Sequence, residues 1–371
     1  MYLDNAATTP LTEEVKNYII SSLDVFGNPS SQHSKGFLAN RIIHEAKEKV
    51  SSFIGCKKEN VIFTSSGSAN NTLAIKGFYN GNDNAKILYS PICHKSVILA
   101  AESCEDSYKI RVDSNGRIDL EHLDNLLASE VNKKILIVVD HANSEIGTIQ
   151  DVAKIIDIAH NYGAYVYLDC TGSIPYIPIN AKKLKVDMIG FSGHKLGALK
   201  GVGVFYKKKE IQLSPLIYGS QMEGLFGGTE NILGISSLSA ALNRYPEYYD
   251  EIEPYKIHFL YDKIKDGIPD CFLIGSSTFR LPYNLNICIP NVLGEVIVGI
   301  LDEQYDIQCS VGSACNNYSS SPSHVLTAIG VDNPRECMRI SLCGTESYSE
   351  ILSVAGKIVD SVKLIRGNKV I

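Results

Sequence analysis

The sequence predicts an α/β protein, with a larger unit on a mixed, mostly parallel sheet and a smaller α+β unit at the C-terminal end. Three observations predict it. The chain has 371 residues, more than one hydrophobic core usually accommodates, so two packed units are expected. From about residue 61, short β-rich runs alternate with helical stretches, the pattern of repeated βα units. After a Gly-rich stretch, IYGSQMEGLFGGTEN, that alternation stops and a different arrangement begins.

The β-rich runs are VIFT (61–64), KILYS (86–90), YKIRV (108–112), KILIVVD (134–140) and AYVYLD (164–169), followed by VDMIGFS (186–192) and GVGVFYK (201–207). Their near-continuous apolar character suits strands buried on both faces. Between them, AKIIDIAHNYG (153–163) has apolar residues at helical spacing and Gly163 placed as a C-cap. The Gly-rich stretch reads as an irregular loop. Beyond it we expect a helical run over 232–266, a strand in LPYNLNICI (281–289), a helix near 294–304, a strand in MRISL (338–342) and a closing helix. The larger domain is placed at 1–250 and the smaller at 251–371, with residues 1–20 as a candidate to pack with the smaller one. There is no internal repeat, low-complexity tract or long linker.

An apolar fraction of 44% and a charged fraction of 20% describe an ordinary globular protein. A formal charge of -6 offers no broad basic surface, so nucleic acid is excluded as an expected partner. No apolar run approaches the roughly 20 residues needed to span a bilayer, and the start, MYLDNAATTP, does not read as a leader. A cytoplasmic protein is expected. The ten cysteines are scattered without a CxxC pair, which argues for reduced thiols, mostly core filler, over a disulfide framework.

The chemistry-bearing residues fall at strand ends. In FSGHKLGALKGVGVFY a strand ends in Ser192, Gly193, His194 and Lys195, and the next begins after Gly201. A lysine between glycines at such a turn reaches into a crevice, where its amine condenses with an aldehyde cofactor such as pyridoxal phosphate and later shuttles a proton. A lone loop lysine is usually a solvated charge, so Lys195 needs support. Asp169 supplies it: it closes AYVYLD at the carboxyl edge of the sheet, where open α/β sheets bind ligands, and a carboxylate there holds a pyridine nitrogen protonated. Without Lys195, a helix-capping aspartate would be as good a reading.

A strand running into Ser/Gly and then a helix, FTSSGSANNTLAIKG, makes Gly67 and Ser68 a phosphate cradle. His94, in SPICHKSV, is placed to stack on a cofactor ring, and Asn143, in DHANSEIG, to hydrogen-bond its phenolic oxygen. Each taken singly is also an ordinary turn residue. Five polar groups at successive strand ends of one sheet converge on one crevice.

Across almost its whole length the chain resembles the cysteine desulfurases of the class V aminotransferase superfamily. The resemblance rests on YLDNAATTP, FGNPSSQH, FTSSGSANNTLAIKG, HANSEIGTIQD, FSGHK, GGTEN, CSVGSAC and MRISL, in that order. It implies an aspartate-aminotransferase-like fold, pyridoxal 5'-phosphate as cofactor, and conversion of L-cysteine to L-alanine with sulfur passed to an acceptor protein or small thiol. It assigns Lys195 to the internal aldimine, Asp169 to the pyridinium nitrogen, His94 to ring stacking, and Asn143 to cofactor and substrate. Ser68, Ser192 and His194 fall where the family binds the phosphate, and Thr229 where it reaches the phosphate of the neighbouring subunit, which implies a homodimer with shared sites. Arg339, in MRISL, matches the arginine that grips the substrate carboxylate, a task for a planar bidentate donor. Cys315, in CSVGSACNN, falls at the persulfide-forming cysteine. No metal ligand set is expected.

The chain also departs from the pattern. Gly172 stands where the family usually has a glutamine that contacts the cofactor, the turn after Lys195 lacks the usual proline, and Phe226 replaces a common arginine. Two other readings therefore stay open: a related pyridoxal-phosphate lyase or aminotransferase acting on another amino acid, and a catalytically degenerate homologue that only binds.

Overall fold

The computed structural model describes residues 1–130, 132–312 and 322–367. Seven strands form the main sheet: β1 Val61–Thr64, β2 Ala85–Tyr89, β3 Ser107–Lys109, β4 Lys134–Asp140, β5 Tyr165–Asp169, β6 Met188–Ser192 and β7 Gly203–Lys207. Their spatial order is β1-β7-β6-β5-β4-β2-β3, and β7 alone runs antiparallel to its neighbours. The carboxyl ends of β1, β2, β4, β5 and β6 therefore share one edge. Central strands are buried along their length, as their apolar runs require.

Helices cover both faces. Helix Gly67–Gly81 follows β1, Lys95–Glu102 follows β2, and Val152–Asn161 precedes β5, its chain turning at Gly163 with φ +70° as the C-cap reading expects. β3 is shorter than YKIRV suggests. It is an edge strand, and the chain leaves it for a turn in which Asp113 accepts from the N–H groups of Asn115 and Arg117.

The helical run expected over 232–266 is broken. It consists of Ile232–Ala241, Tyr245–Asp250 and Tyr255–Gly267, with a one-turn 3₁₀ segment at Leu242–Arg244. Pro254 stands immediately before the last helix, where its missing N–H costs nothing but a continuous helix could not form. The break coincides with a change of core: Tyr245 belongs to the cluster under the seven-stranded sheet and Ile257 to a second cluster.

That second cluster lies around a small antiparallel sheet, order β10-β9-β8, formed by β8 Phe272–Leu273, β9 Asn284–Cys288 and β10 Cys337–Ser341. Helices Tyr255–Gly267, Gly294–Tyr305 and Tyr348–Gly367 pack with it. The N-terminal segment ties the two cores. Leu3 is buried in the second cluster and Asp4 bridges to Ser341, whereas Val15, in helix Glu13–Ser22, is buried in the first. The architecture is the α/β fold with a mixed, mostly parallel sheet and a smaller α+β unit that the sequence predicts. The nine described cysteines are free, and no described helix is long and apolar enough to cross a membrane.

Candidate active site

A cavity of about 410 Å³ opens at the carboxyl edge of the main sheet and is walled on its far side by the N-terminal segment and β10. Strand ends build it. β1 delivers Ser66, Gly67 and Ser68; the segment after β2 delivers Cys93, His94 and Lys95; β4 ends in Asp140 and leads to Asn143 and Glu145; β5 ends in Asp169; and β6 leads through Ser192 to His194 and Lys195. Arg339 enters from β10.

Asp169 is 6% exposed and has no ion-pair partner among the described residues. Its Oδ2 accepts from Asn71 Nδ2 at 2.9 Å and its Oδ1 from the Thr171 N–H at 2.9 Å. Asn71 is itself held by the Tyr167 hydroxyl, which donates to its Oδ1 at 2.6 Å. The carboxylate is thus fixed in direction and lacks a cation, the condition that a protonated ring nitrogen would satisfy. Thr171 Oγ1 beside it is buried without a hydrogen-bond partner.

Lys195 sits on a one-turn 3₁₀ segment, Gly193–Lys195, and its Nζ donates to the carbonyl of Ala6. The N-terminal segment clamps the same turn, with the N–H and hydroxyl of Thr9 both donating to the His194 carbonyl at 3.1 and 2.9 Å. His194 Nδ1 lies 3.0 Å from the Thr8 hydroxyl, and burial, then the charges of Lys195 and Lys200, pull its pKa down to about 4. It is neutral near pH 7.

Helix Gly67–Gly81 starts at the cavity. The Ser66 hydroxyl caps it by accepting from Ala69 N at 3.1 Å, and the N–H groups of Gly67 and Ser68 have no intrahelical acceptor. A Cβ at Gly67 would come 3.1 Å from Thr171 Oγ1 and 3.6 Å from Ser192 Cβ, so the glycine keeps this corner open. Such a cradle suits a phosphate. His94 is exposed at the rim and caps helix Lys95–Glu102, accepting from Ser96 N at 3.2 Å.

Arg339 is 2% exposed. Its Nη2 donates to Asp4 Oδ1 at 2.5 Å and its Nη1 to the Ser144 carbonyl at 3.2 Å, while Nε is buried without a partner. Asn143 is the most constrained of the expected site residues. Its Nδ2 donates to the Ile92 carbonyl at 2.7 Å and to Asp140 Oδ2 at 3.0 Å, and its Oδ1 accepts from the N–H groups of Glu145 and Ile146. Contact with a ligand requires exchange of one of these bonds.

Gly67, Ser68, His94, Asn143, Asp169, Ser192, His194, Lys195 and Arg339 thus line one cavity. Thr229 does not; it lines a neighbouring cavity of about 140 Å³ that shares Gly201 with the first. Cys315 lies outside the described residues. Gly172 is at the wall, and a Cβ there would lie 2.7 Å from the Ala142 carbonyl oxygen, so backbone fills the place of a side chain.

Sequence reasoning missed Asp4, Asp140 and Glu145. Asp140 closes an apolar strand just as Asp169 does, so the same signal would have found it. Burial pushes the Glu145 carboxyl above its usual range, against the pull of Ser323, Arg339 and Lys95. Among the described residues no group of His, Cys, Asp and Glu is placed to hold a metal ion.

Residues 1–354 match the family model described as Aminotransferase class-V. A protein of Dictyoglomus turgidum named cysteine desulfurase IscS is 36% identical over 388 residues, covering 98% of this chain and 96% of its own. A solved structure described as a NifS-like protein superposes with a TM-score of 0.89 at 30% identity, covering 98% of this chain and 99% of its own. Another, described as SspA in complex with cysteine, gives a TM-score of 0.80 at 30% identity, covering 93% and 99%.

Proposed function

The chain belongs to the aminotransferase class-V family, and on that premise we propose that it is a pyridoxal-5'-phosphate-dependent cysteine desulfurase. The net reaction takes L-cysteine and an enzyme thiol to L-alanine and an enzyme persulfide. The observation that carries the reading is the meeting, in one cavity, of an uncompensated buried carboxylate at Asp169, the lysine Lys195 and the buried guanidinium of Arg339. Relatives named cysteine desulfurase and the cysteine-bound neighbour support the substrate.

The cofactor, when bound, supplies an electron sink for the carbon next to the amino group. Asp169 would face its ring nitrogen and keep it protonated, and His94 would stand over the ring. The N–H groups of Gly67 and Ser68, with Ser68, Ser192 and His194, would hold the phosphate; neutral His194 is a hydrogen-bond partner there and not a counter-charge. Arg339 would take the substrate carboxylate through Nε, the donor that Asp4 and Ser144 leave open. Lys195 Nζ would form the covalent link and then move the substrate's protons at short range.

The sulfur step is assigned to Cys315, whose thiol bonds to the departing sulfur and carries it as a persulfide to an acceptor protein or small thiol. We further assign the enzyme to the cytoplasm, where thiols stay reduced, and to a homodimer in which Thr229 reaches the partner's phosphate.

The test is absorbance of the purified protein with pyridoxal phosphate, then L-cysteine with a reductant and assays for sulfide and alanine. Equal release of both, lost in Cys315→Ser with the cofactor band kept, supports the reading. A bound cofactor that yields neither product overturns it in favour of another amino acid substrate.

A further inference from the structure

Asp140 and Asp169 are register partners at the ends of adjacent parallel strands, and both line the cavity. The chemistry above uses only Asp169. Asp140 is 6% exposed and has no ion-pair partner among the described residues. It has two side-chain contacts: Oδ2 accepts from Asn143 Nδ2 at 3.0 Å, and Oδ1 faces the Cys93 thiol at 3.6 Å. A buried carboxyl held by one amide and one weak thiol donor is poorly compensated as an anion.

Asn143 turns this into a lever. Both its N–H bonds and both lone pairs of its oxygen are engaged inside the protein. Three of those partners are backbone groups that cannot change charge. The fourth is Asp140.

We infer that Asp140 is a positioning residue of the cofactor site. As an anion it keeps one Asn143 N–H turned away from the cavity and places a second negative charge beside Asp169; as a neutral acid it relaxes both. Its effect on the cofactor rests on the proposed function, whereas its hold on Asn143 does not.

The groups facing it are Asp169 from β5, Cys93 from the segment after β2 and Asn143 from its own segment, while His94 and Glu145 line the same cavity. Lys195 and Arg339 lie across the cavity. Burial raises the Asp140 carboxyl to about 6; the Asn143 bond pulls against this and the Asp169 charge adds to it. Both charge states are then populated near neutral pH.

The test has two arms. In the first, the protein as purified carries ¹⁵N-asparagine, and the Asn143 side-chain amide signal, assigned by its loss in Asn143→Ser, is followed from about pH 5 to 8. The wild type should titrate with a midpoint near 6, and Asp140→Asn should stay flat. Cys93→Ser, which offers the carboxylate a stronger donor, should lower the midpoint and serves if Asp140→Asn does not fold. In the second arm, pyridoxal phosphate is added, and the pH midpoint of its visible band should fall by about one unit in Asp140→Asn, the usual scale for losing a nearby negative charge. An Asn143 signal that titrates alike in wild type and Asp140→Asn, or an unmoved band midpoint, overturns the inference. A wild type that shows no band with excess pyridoxal phosphate overturns the proposed function instead, and the first arm still decides the role of Asp140.

Discussion

Arg339 and Asp4, 335 residues apart in sequence, form an ion pair at 2.5 Å that orients the guanidinium toward the cavity. Asp4 holds Nη2, Ser144 holds Nη1, and the buried Nε is left for a ligand. The pair is a mount as much as a contact, because the same N-terminal segment that brings Asp4 also brings Ala6 to Lys195 and Thr8 to His194.

Arg339→Lys should keep the charge and lose the fork. We expect kcat/KM for L-cysteine to fall about 10- to 100-fold, the scale of roughly 1.5–3 kcal/mol for charge-assisted hydrogen bonds. Most of the loss should be in KM, which steady-state kinetics will show. Asp4→Asn should give a smaller effect of the same sign, since it loosens Arg339 without removing it.

Lys195→Ala should abolish the covalent link while leaving the cradle and Asp169 intact. Mass spectrometry after borohydride reduction should find the pyridoxyl adduct in the wild type and none in the variant. Asp169→Asn should retain the link but lower kcat by about two orders of magnitude or more, as removal of one preorganised electrostatic partner does.

Gly172→Ala places a Cβ 2.7 Å from the Ala142 carbonyl oxygen. That oxygen belongs to the backbone that carries Asn143, so it cannot step aside freely. Overpacking of this kind costs about 1–3 kcal/mol, so the thermal midpoint should fall, and calorimetry measures it. An unchanged midpoint would mean that the wall adjusts and that backbone does not exclude a side chain here.

Acid stability should follow His141 and His194. Burial pulls both down to about 4, below the ordinary histidine value of 6.5. Between those values the unfolded chain binds more protons than the folded one, so stability is fully present above about pH 6.5 and is lost as pH falls through 4. Asp140 has the opposite sign: its folded value of about 6 lies above the ordinary aspartate value of 3.8, so its contribution is present at low pH and lost as pH rises through 6. His324 is lowered by burial as His141 and His194 are, and Glu145 raised as Asp140 is, so three histidines stand against two carboxyls. Urea midpoints should therefore fall on acidification over this window, and His141→Gln should flatten the fall.

Much of this was legible in the sequence because buried parallel strands announce themselves as apolar runs, and the polar residues that close such runs face a common edge. Asp169, Lys195, Gly67 and Ser68 were found that way, and β1 and β4 match their predicted bounds. The helical run expected over 232–266 is helical but divided, because Pro254 stops a continuous helix where the packing partner changes.

What the sequence determined by itself is therefore local: which runs become strands, where each ends, and which polar groups stand at the ends. Tertiary structure decided the pairings across distance. It placed Asp4 on Arg339, set Asp140 against Asn143 and Cys93, closed Gly172 with the Ala142 carbonyl, and put Thr229 outside the main cavity. The physical reason is that periodicity and turn chemistry act over a few residues, whereas a contact between residues hundreds of positions apart forms only when two separate cores pack and bring the intervening segments into register.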